Sequence, residues 1–250
     1  MTEKIDADID ADVDIDIERS VGDLVKDVPQ FSRVFESVGI DYCCGGDASL
    51  EQACEENGLD VSDVRKRLIQ VRRRGDGINE ELESMSDDEW DSPSNLVQHI
   101  VSTHHDYLRD ELPALGQLVN KVARVHGDNH PRLDDVEKEF LELADEMREH
   151  TKEEETEVFP VIENLESGED LSESEVETLH EEIESLEDDH EEAAKHLERI
   201  EKLTDGYTTP EDACPSYRSM LDRLEHLEQD THRHVHKENN VLFPTVEEAL

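Results

Sequence analysis

A chain of 250 residues with 69 acidic and 24 basic side chains carries a formal charge of −45, and a surface of that sign repels phosphate backbones and anionic lipid, which excludes nucleic-acid and membrane-surface binding. The hydrophobic content of 34% supports a core only when regularly spaced; here it keeps long helical register, which separates the chain from disordered acidic proteins and points to a folded, acid-coated protein suited to a salt-rich cytoplasm. No uncharged apolar run of about 18 residues occurs and the N-terminus lacks an apolar signal core, so a cytoplasmic protein without a membrane span is expected.

The first element, "EKIDADIDADVDIDI" at residues 3–17, alternates aliphatic and acidic residues with period two, formally a strand pattern. A like charge at nearly every second position and the lack of a partner strand argue against pairing, so residues 1–19 are expected to form a disordered acidic leader. A small helical domain follows over residues 20–75. Ser20 with Asp23 three residues on resembles a capping box, and Pro29 suits the first turn of a second helix that stops at Gly39. "DYCCGGDASLEQACEENG" then supplies a glycine-containing loop, a helix from about Ala48 and a stop at Gly58. A helix over about 61–74 closes the domain, and residues 76–92, acidic and punctuated by Gly and Pro, read as a linker.

Residues 93–250 contain four long amphipathic helices, at about 93–125, 132–163, 172–203 and 212–240, separated by "HGDNHP", "ESGED" and "TDGYTTPED". Short connections between long helices make an antiparallel four-helix bundle the economical arrangement, and the fold class is all-α.

The apolar stripes of this bundle run into polar residues. On the second helix Val136, Phe140, Leu143, Met147, His150 and Glu154 follow core spacing; on the fourth, Met220, Leu224, Leu227, Thr231, His234, Glu238 and Val241 do the same. The third helix carries Leu179, Ile183, Leu186, His190, Ala193 and Leu197 on one face, interrupted by a single histidine. On the first helix both His104 and His105 fall near the apolar side, and periodicity slightly favours His104. "HTKEEETEVFP" from His150 and "HVHKENNVLFP" from His234 share His, Glu four residues on, and Phe-Pro at nine and ten. His105 precedes the first by 45 residues and His190 the second by 44, as though one helical hairpin had been duplicated.

A buried, uncompensated carboxylate costs several kcal/mol, and two in one layer repel. A metal centre removes the difficulty. His and Glu at i and i+4 share a helix face, and four such faces supply four imidazoles and two carboxylates, too many donors for one zinc and suited to two iron or manganese ions bridged by the carboxylates and a solvent-derived oxygen. "EDDH" at 187–190 also fits the Glu-x-x-His of ferritin-like proteins but is not doubled at matching places. His99, His126, His130, His180, His196, His226, His232 and His236 are left as surface or outer residues.

These stretches resemble a known pair of domains. "HIVSTHHDYLRDELPAL", "REHTKEEETEVFP", "EDDHEEA" and "HRHVHKENNVLFP" are similar to the four ligand-bearing helices of a hemerythrin-like domain. "VGIDYCCGGDASLEQAC" resembles the small N-terminal domain that accompanies it in the iron-sulfur cluster repair di-iron family, also called regulators of iron centres. The resemblance implies a non-haem di-iron protein, with iron preferred to manganese, that helps restore iron-sulfur clusters damaged by nitric oxide or oxidants. It makes His105, His150, His190 and His234 terminal ligands and Glu154 and Glu238 bridging carboxylates, overruling the periodicity preference for His104. Partners would be damaged iron-sulfur proteins, with a homodimer as a further option. Two rival functions belong to the same centre: reduction of nitric oxide or dioxygen, and oxygen or iron carriage.

The adjacent Cys43 and Cys44 are expected to be reduced, since neighbouring cysteines bond with strain and the cytoplasm disfavours disulfides. If they lie just before the helix near Ala48, its positive end would favour the thiolate, and the resemblance implies that they act as a thiol or transfer pair. Cys54 could approach them, and Cys214, opening the last bundle helix, is expected to be structural.

Overall fold

The computed structural model describes residues 15–74, 90, 92–168 and 171–250. Among these residues the regular elements are helical, and a single antiparallel bridge joins Ser20 to Ser49. The chain divides into two compact units, Met1–Trp90 with His236–Val241, and Asp91–Val235 with Leu242–Leu250.

In the first unit, α1 (Val21–Asp27) begins where Ser20, in extended conformation, accepts the Asp23 N–H through its hydroxyl at 3.0 Å. A 3-10 turn at Pro29–Phe31 leads into α2 (Ser32–Glu36), and the chain turns at Gly39, whose φ of 72° is costly for a residue with a Cβ. Helix α3 (Leu50–Glu56) opens on a reciprocal capping box: Ser49 Oγ accepts from Gln52 N–H at 3.2 Å, and Gln52 Oε1 accepts from Ser49 N–H at 3.1 Å. It starts two residues later than its sequence suggests. Ala48 is held outside the helix because its carbonyl accepts the Val21 N–H and its N–H donates to Gly45. Helix α4 (Val61–Arg74) supplies Val64 and Leu68 to a core that contains Val21, Leu24, Phe31, Phe35 and Leu50.

Ile15 belongs to this core and is 2% exposed, and Arg65 Nε donates to its carbonyl at 3.0 Å. The disordered leader expected over 1–19 is therefore too long. Its last apolar residues find burial that the alternating charges do not prevent, because those side chains point the other way. Residues 1–14 and the linker, apart from residues 90 and 92, lie outside the described residues.

Between residues 93 and 247 the described residues form four helical runs. The first comprises α5 (Pro93–Ile100), a π turn at Val101–His105 and α6 (Asp106–His126); the second comprises α7 (Leu133–Glu153), a π turn at Glu154–Val158 and α8 (Phe159–Glu166). The third is α9 (Glu173–Leu203), and the fourth comprises α10 (Pro215–Lys237), a π turn at Glu238–Leu242 and α11 (Phe243–Glu247). The runs start on the expected signals: Ser92 caps with Pro93 behind it, and Glu175 accepts from both the N–H and the hydroxyl of Ser172. Their antiparallel order shows at both ends. Ser94 N–H, at the start of the first run, donates to the Glu166 carboxylate at the end of the second (2.9 Å), and Arg132 meets Asp205 across the opposite end (2.9 Å).

Helix α7 packs against both α6 and α9, and Leu112, Leu115, Phe140, Leu143, Leu197, Met220 and Leu224 fill the interior. The π turns were not legible in the heptads, and two of the three have a cause in the proline that follows them. Pro160 and Pro244 have no N–H for an α-helical bond and would crowd the carbonyl four residues back. The turn before Pro160 widens, so that Phe159 N–H reaches Glu154 O, five residues back. The fourth run thereby continues past its Phe-Pro pair to Glu247, seven residues beyond the expected end near 240.

Candidate metal centre

Toward one end of the bundle the apolar interior gives way to six polar side chains. His105, Glu154, His234 and Glu238 are 0% exposed, His190 is 1% and His150 is 3% exposed. They form two groups of four potential donors, His105, His234, Glu154 and Glu238 in one and His150, His190, Glu154 and Glu238 in the other. Within each group the donor atoms lie within 4.8 Å of one another, and both carboxylates are common to the two groups. Glu154 spans them: Oε2 is 3.3 Å from His105 Nε2, and Oε1 is 3.4 Å from His150 Nε2. The imidazoles approach in pairs, His105 Nε2 to His234 Nε2 at 3.1 Å and His190 Nε2 to His150 Nε2 at 2.9 Å.

The widened helical turns bear on this arrangement. His105 closes one π turn, while Glu154 and Glu238 open the other two. The added residue shifts the phase of the helix, so that His104 and His105 are both buried. Only His105 enters a donor group. His104, which periodicity favoured, places Nδ1 3.1 Å from Asp230 Oδ1 and stacks its ring on that of His234, with centroids 5.4 Å apart and planes 10° from parallel.

The duplicated Phe-Pro pairs also acquire a role here. Phe159 stacks on His105 (5.7 Å, 16°) and Phe243 on His190 (6.4 Å, 11°). In each hairpin the phenylalanine nine residues after the His-x-x-x-Glu histidine thus covers the lone histidine of the preceding helix. Behind the rings, Glu155 Oε1 lies 2.6 Å from His105 Nδ1, and Asp189 Oδ2 lies 3.4 Å from His150 Nδ1. The hydrogen bond from His150 holds the Asp189 carboxyl below the usual carboxylate range, against the effect of its partial burial.

Each of the two donor groups could hold a metal ion. Each group offers two imidazole nitrogens and two shared carboxylates in a site stripped of water, where carboxylates without a cation would repel one another and lose hydration. A nitrogen-oxygen donor set of this kind suits iron or manganese.

Other titratable residues sit differently from expectation. His196 and His236 are buried, and His196 Nδ1 lies 2.8 Å from Glu139 Oε2, which also accepts from Arg199 at 3.1 Å. Lys237 is 2% exposed, a burial that nothing in its spacing foretold.

The four cysteines are unbonded. Asp41 organises the Cys-Cys-Gly-Gly loop: its carboxylate accepts the backbone N–H groups of Cys43 (2.9 Å), Cys44 (3.1 Å) and Gly45 (3.0 Å). Cys43 is buried and Cys44 half-buried, with their sulfurs 3.9 Å apart and Cys43 Sγ 3.1 Å from Asp41 Oδ1. The hydrogen bond with Cys44, burial and the charge of Asp41 push the Cys43 thiol well above its ordinary pKa. The expected thiolate at Cys43 is thus overturned. Helix α3 begins only at Leu50, its dipole fades within a turn, and the carboxylate against the sulfur favours the protonated form. Cys54 packs into the apolar core of the first unit. Cys214 is half-buried, with Sγ 3.2 Å from His126 Nε2. The Tyr217 backbone N–H and then His126 lower its thiol pKa.

Among the described residues no helix is long and apolar enough to cross a membrane. The profile of the hemerythrin HHE cation binding domain matches residues 96–246, and that of a domain of unknown function (ScdA_N, DUF542) matches residues 17–72. The chain is 35% identical over 224 residues to the iron-sulfur cluster repair protein ScdA of Staphylococcus haemolyticus, covering 89% of this chain and 95% of that protein. It is 31% identical over 226 residues to the iron-sulfur cluster repair protein YtfE of Enterobacter sp. strain 638 (90% and 94% covered). A probable iron-sulfur cluster repair protein of Haemophilus influenzae is 29% identical over 230 residues (91% and 96%).

Proposed function

This chain belongs to the family of iron-sulfur cluster repair proteins that carry a hemerythrin HHE cation binding domain, and from that premise we propose that it is a cytoplasmic non-haem di-iron protein that restores clusters damaged by nitrosative or oxidative stress. The observation that supports the proposal is the sharing of Glu154 and Glu238 between two histidine pairs, the arrangement a two-ion site would need. His105, His150, His190 and His234 serve as terminal ligands, and Glu154 and Glu238 as bridges. Manganese suits the same donors less well than iron only by family. When bound, the iron pair supplies one-electron redox chemistry and releasable iron.

The protein's own groups set the conditions. Complete burial of the two carboxylates strengthens their attraction for cations. Phe159 and Phe243 cover imidazole faces and keep water from them. In the small unit, the hydrogen bond with Cys44, burial and the charge of Asp41 favour the protonated Cys43, and the more accessible Cys44 is the group that first meets a client's iron. Client proteins with damaged iron-sulfur clusters are the proposed partners.

Protein purified anaerobically at high salt is expected to contain two irons per chain with the Mössbauer signature of a coupled pair, and to restore activity to a nitric-oxide-damaged [4Fe-4S] enzyme in the presence of reductant. His150→Ala should lose the coupled signature and the restoring activity together. Restoration by the wild type equalled by free ferrous iron at the same concentration would overturn the repair role. Steady consumption of nitric oxide with a physiological electron donor, without restoration, would assign the centre to a reductase.

A further inference from the structure

We propose that Glu155, braced by Arg109, is a positioning residue for the metal ligand His105; this inference rests on the two-ion reading of the buried centre. The two ring nitrogens of His105 face consecutive residues of another helical run. Nε2 points into the centre, 3.3 Å from Glu154 Oε2 and 3.1 Å from His234 Nε2, while Nδ1 lies 2.6 Å from Glu155 Oε1. The ring is 0% exposed and its face is covered by Phe159, so the imidazole has one orientation available to it.

A carboxylate on Nδ1 decides the tautomer. Glu155 accepts the Nδ1–H, so the lone pair resides on Nε2 and points at the shared carboxylates, where an ion is to be held. Adjacent residues seldom serve one partner from a regular helix, because successive side chains diverge around its axis. Here Glu154 and Glu155 both lie in the π turn that precedes Phe159 and Pro160, and the wider turn lets both reach His105.

Arg109 supplies the brace. Its guanidinium donates to Glu155 Oε1 and also to Asp106, which anchors the arginine to its own helix. The chain Asp106–Arg109–Glu155–His105 thus runs from the bundle surface to the centre. The corresponding contact behind His150 is looser, 3.4 Å to Asp189, whose side chain is half exposed. Glu155 therefore acts on one ion of the pair, the one held by His105 and His234.

The test compares wild type, Glu155→Ala and Glu155→Gln. Each is loaded anaerobically with ferrous iron alone, titrated with a chromogenic ferrous chelator and measured by Mössbauer spectroscopy, with the melting temperature of the metal-free forms recorded. Glu155→Ala should bind one of its two irons about tenfold to a hundredfold more weakly, with two quadrupole doublets of unequal retention, while metal-free melting stays within about two degrees of wild type. Glu155→Gln keeps an acceptor for Nδ1–H without the charge and should recover most of the affinity. If Glu155→Ala releases both irons in step, or retains both as tightly as wild type, the positioning role is wrong although the centre stands. If the metal-free variant melts many degrees lower and glutamine does not rescue iron retention, the contact is purely structural. A wild type that binds fewer than two irons would instead sink the two-ion reading itself.

Discussion

Replacing Glu154 by glutamine should have opposite effects on the metal-free and the iron-loaded protein. The carboxylate is 0% exposed, its oxygens face His105 and His150 at 3.3 and 3.4 Å, and Glu238 belongs to the same donor groups. In the metal-free protein the two carboxylates lie buried in one donor cluster. Burying an ion costs several kcal/mol, so removing one of two like charges from this cluster should stabilise the metal-free protein by about 1–4 kcal/mol. With about 2–4 °C of melting temperature per kcal/mol for a domain of this size, metal-free Glu154→Gln should melt from about 2 to more than 10 °C above wild type. With iron the sign reverses. Iron at a hundredfold excess over its dissociation constant adds about 2.7 kcal/mol to the wild type, whereas the variant has lost a ligand common to both ions and gains little. Differential scanning calorimetry of both proteins in both states at one salt concentration, with iron content measured in parallel, gives four melting temperatures. A metal-free variant that melts well below metal-free wild type would refute the reasoning, because the carboxylate would then be stabilised by the protein alone. Undiminished iron content in the variant would refute it equally.

The cysteines should separate by pH. Cys214, whose thiol pKa is lowered by the Tyr217 N–H and by His126, should alkylate with iodoacetamide at lower pH than Cys43, which stays protonated until more alkaline pH; peptide mapping across pH 6–10 reads the order, and equal profiles would contradict the assigned environments. With a formal charge of −45, raising sodium chloride from about 0.1 to 1 M shortens the screening length from about 10 to 3 Å and should raise the melting temperature by several degrees; a flat or falling curve would show that surface repulsion does not limit stability. Phe140→Ala, at a fully buried position in the bundle interior, should cost about 3–5 kcal/mol in urea melts while iron content at low temperature stays at the wild-type level, and a loss below 1 kcal/mol would show that the interior collapses around the gap.

Much of the fold is legible in one dimension because capping and periodicity are local. Ser20, Ser49, Ser92 and Ser172 precede helices for reasons contained within four residues, and the stripe from Val136 to Met147 is buried as its spacing requires. The same spacing placed His150, His190, His234 and both glutamates on inward faces, and the repeat marked them as one set. The first-helix histidine was less legible. Periodicity assumes a constant angle per residue, and the π turn at Val101–His105 breaks that assumption where His104 and His105 had to be told apart.

Contacts across helices were beyond the sequence. That Phe159 covers His105 and that Glu155 meets its outer nitrogen both depend on the distance between segments, not on spacing within one. By itself the sequence determined the all-α class, the four runs of the bundle and the duplicated His and Glu motif. The tertiary structure decided which atoms of those ligands face one another, because the rotation and register of packed helices follow from how the whole interior fills.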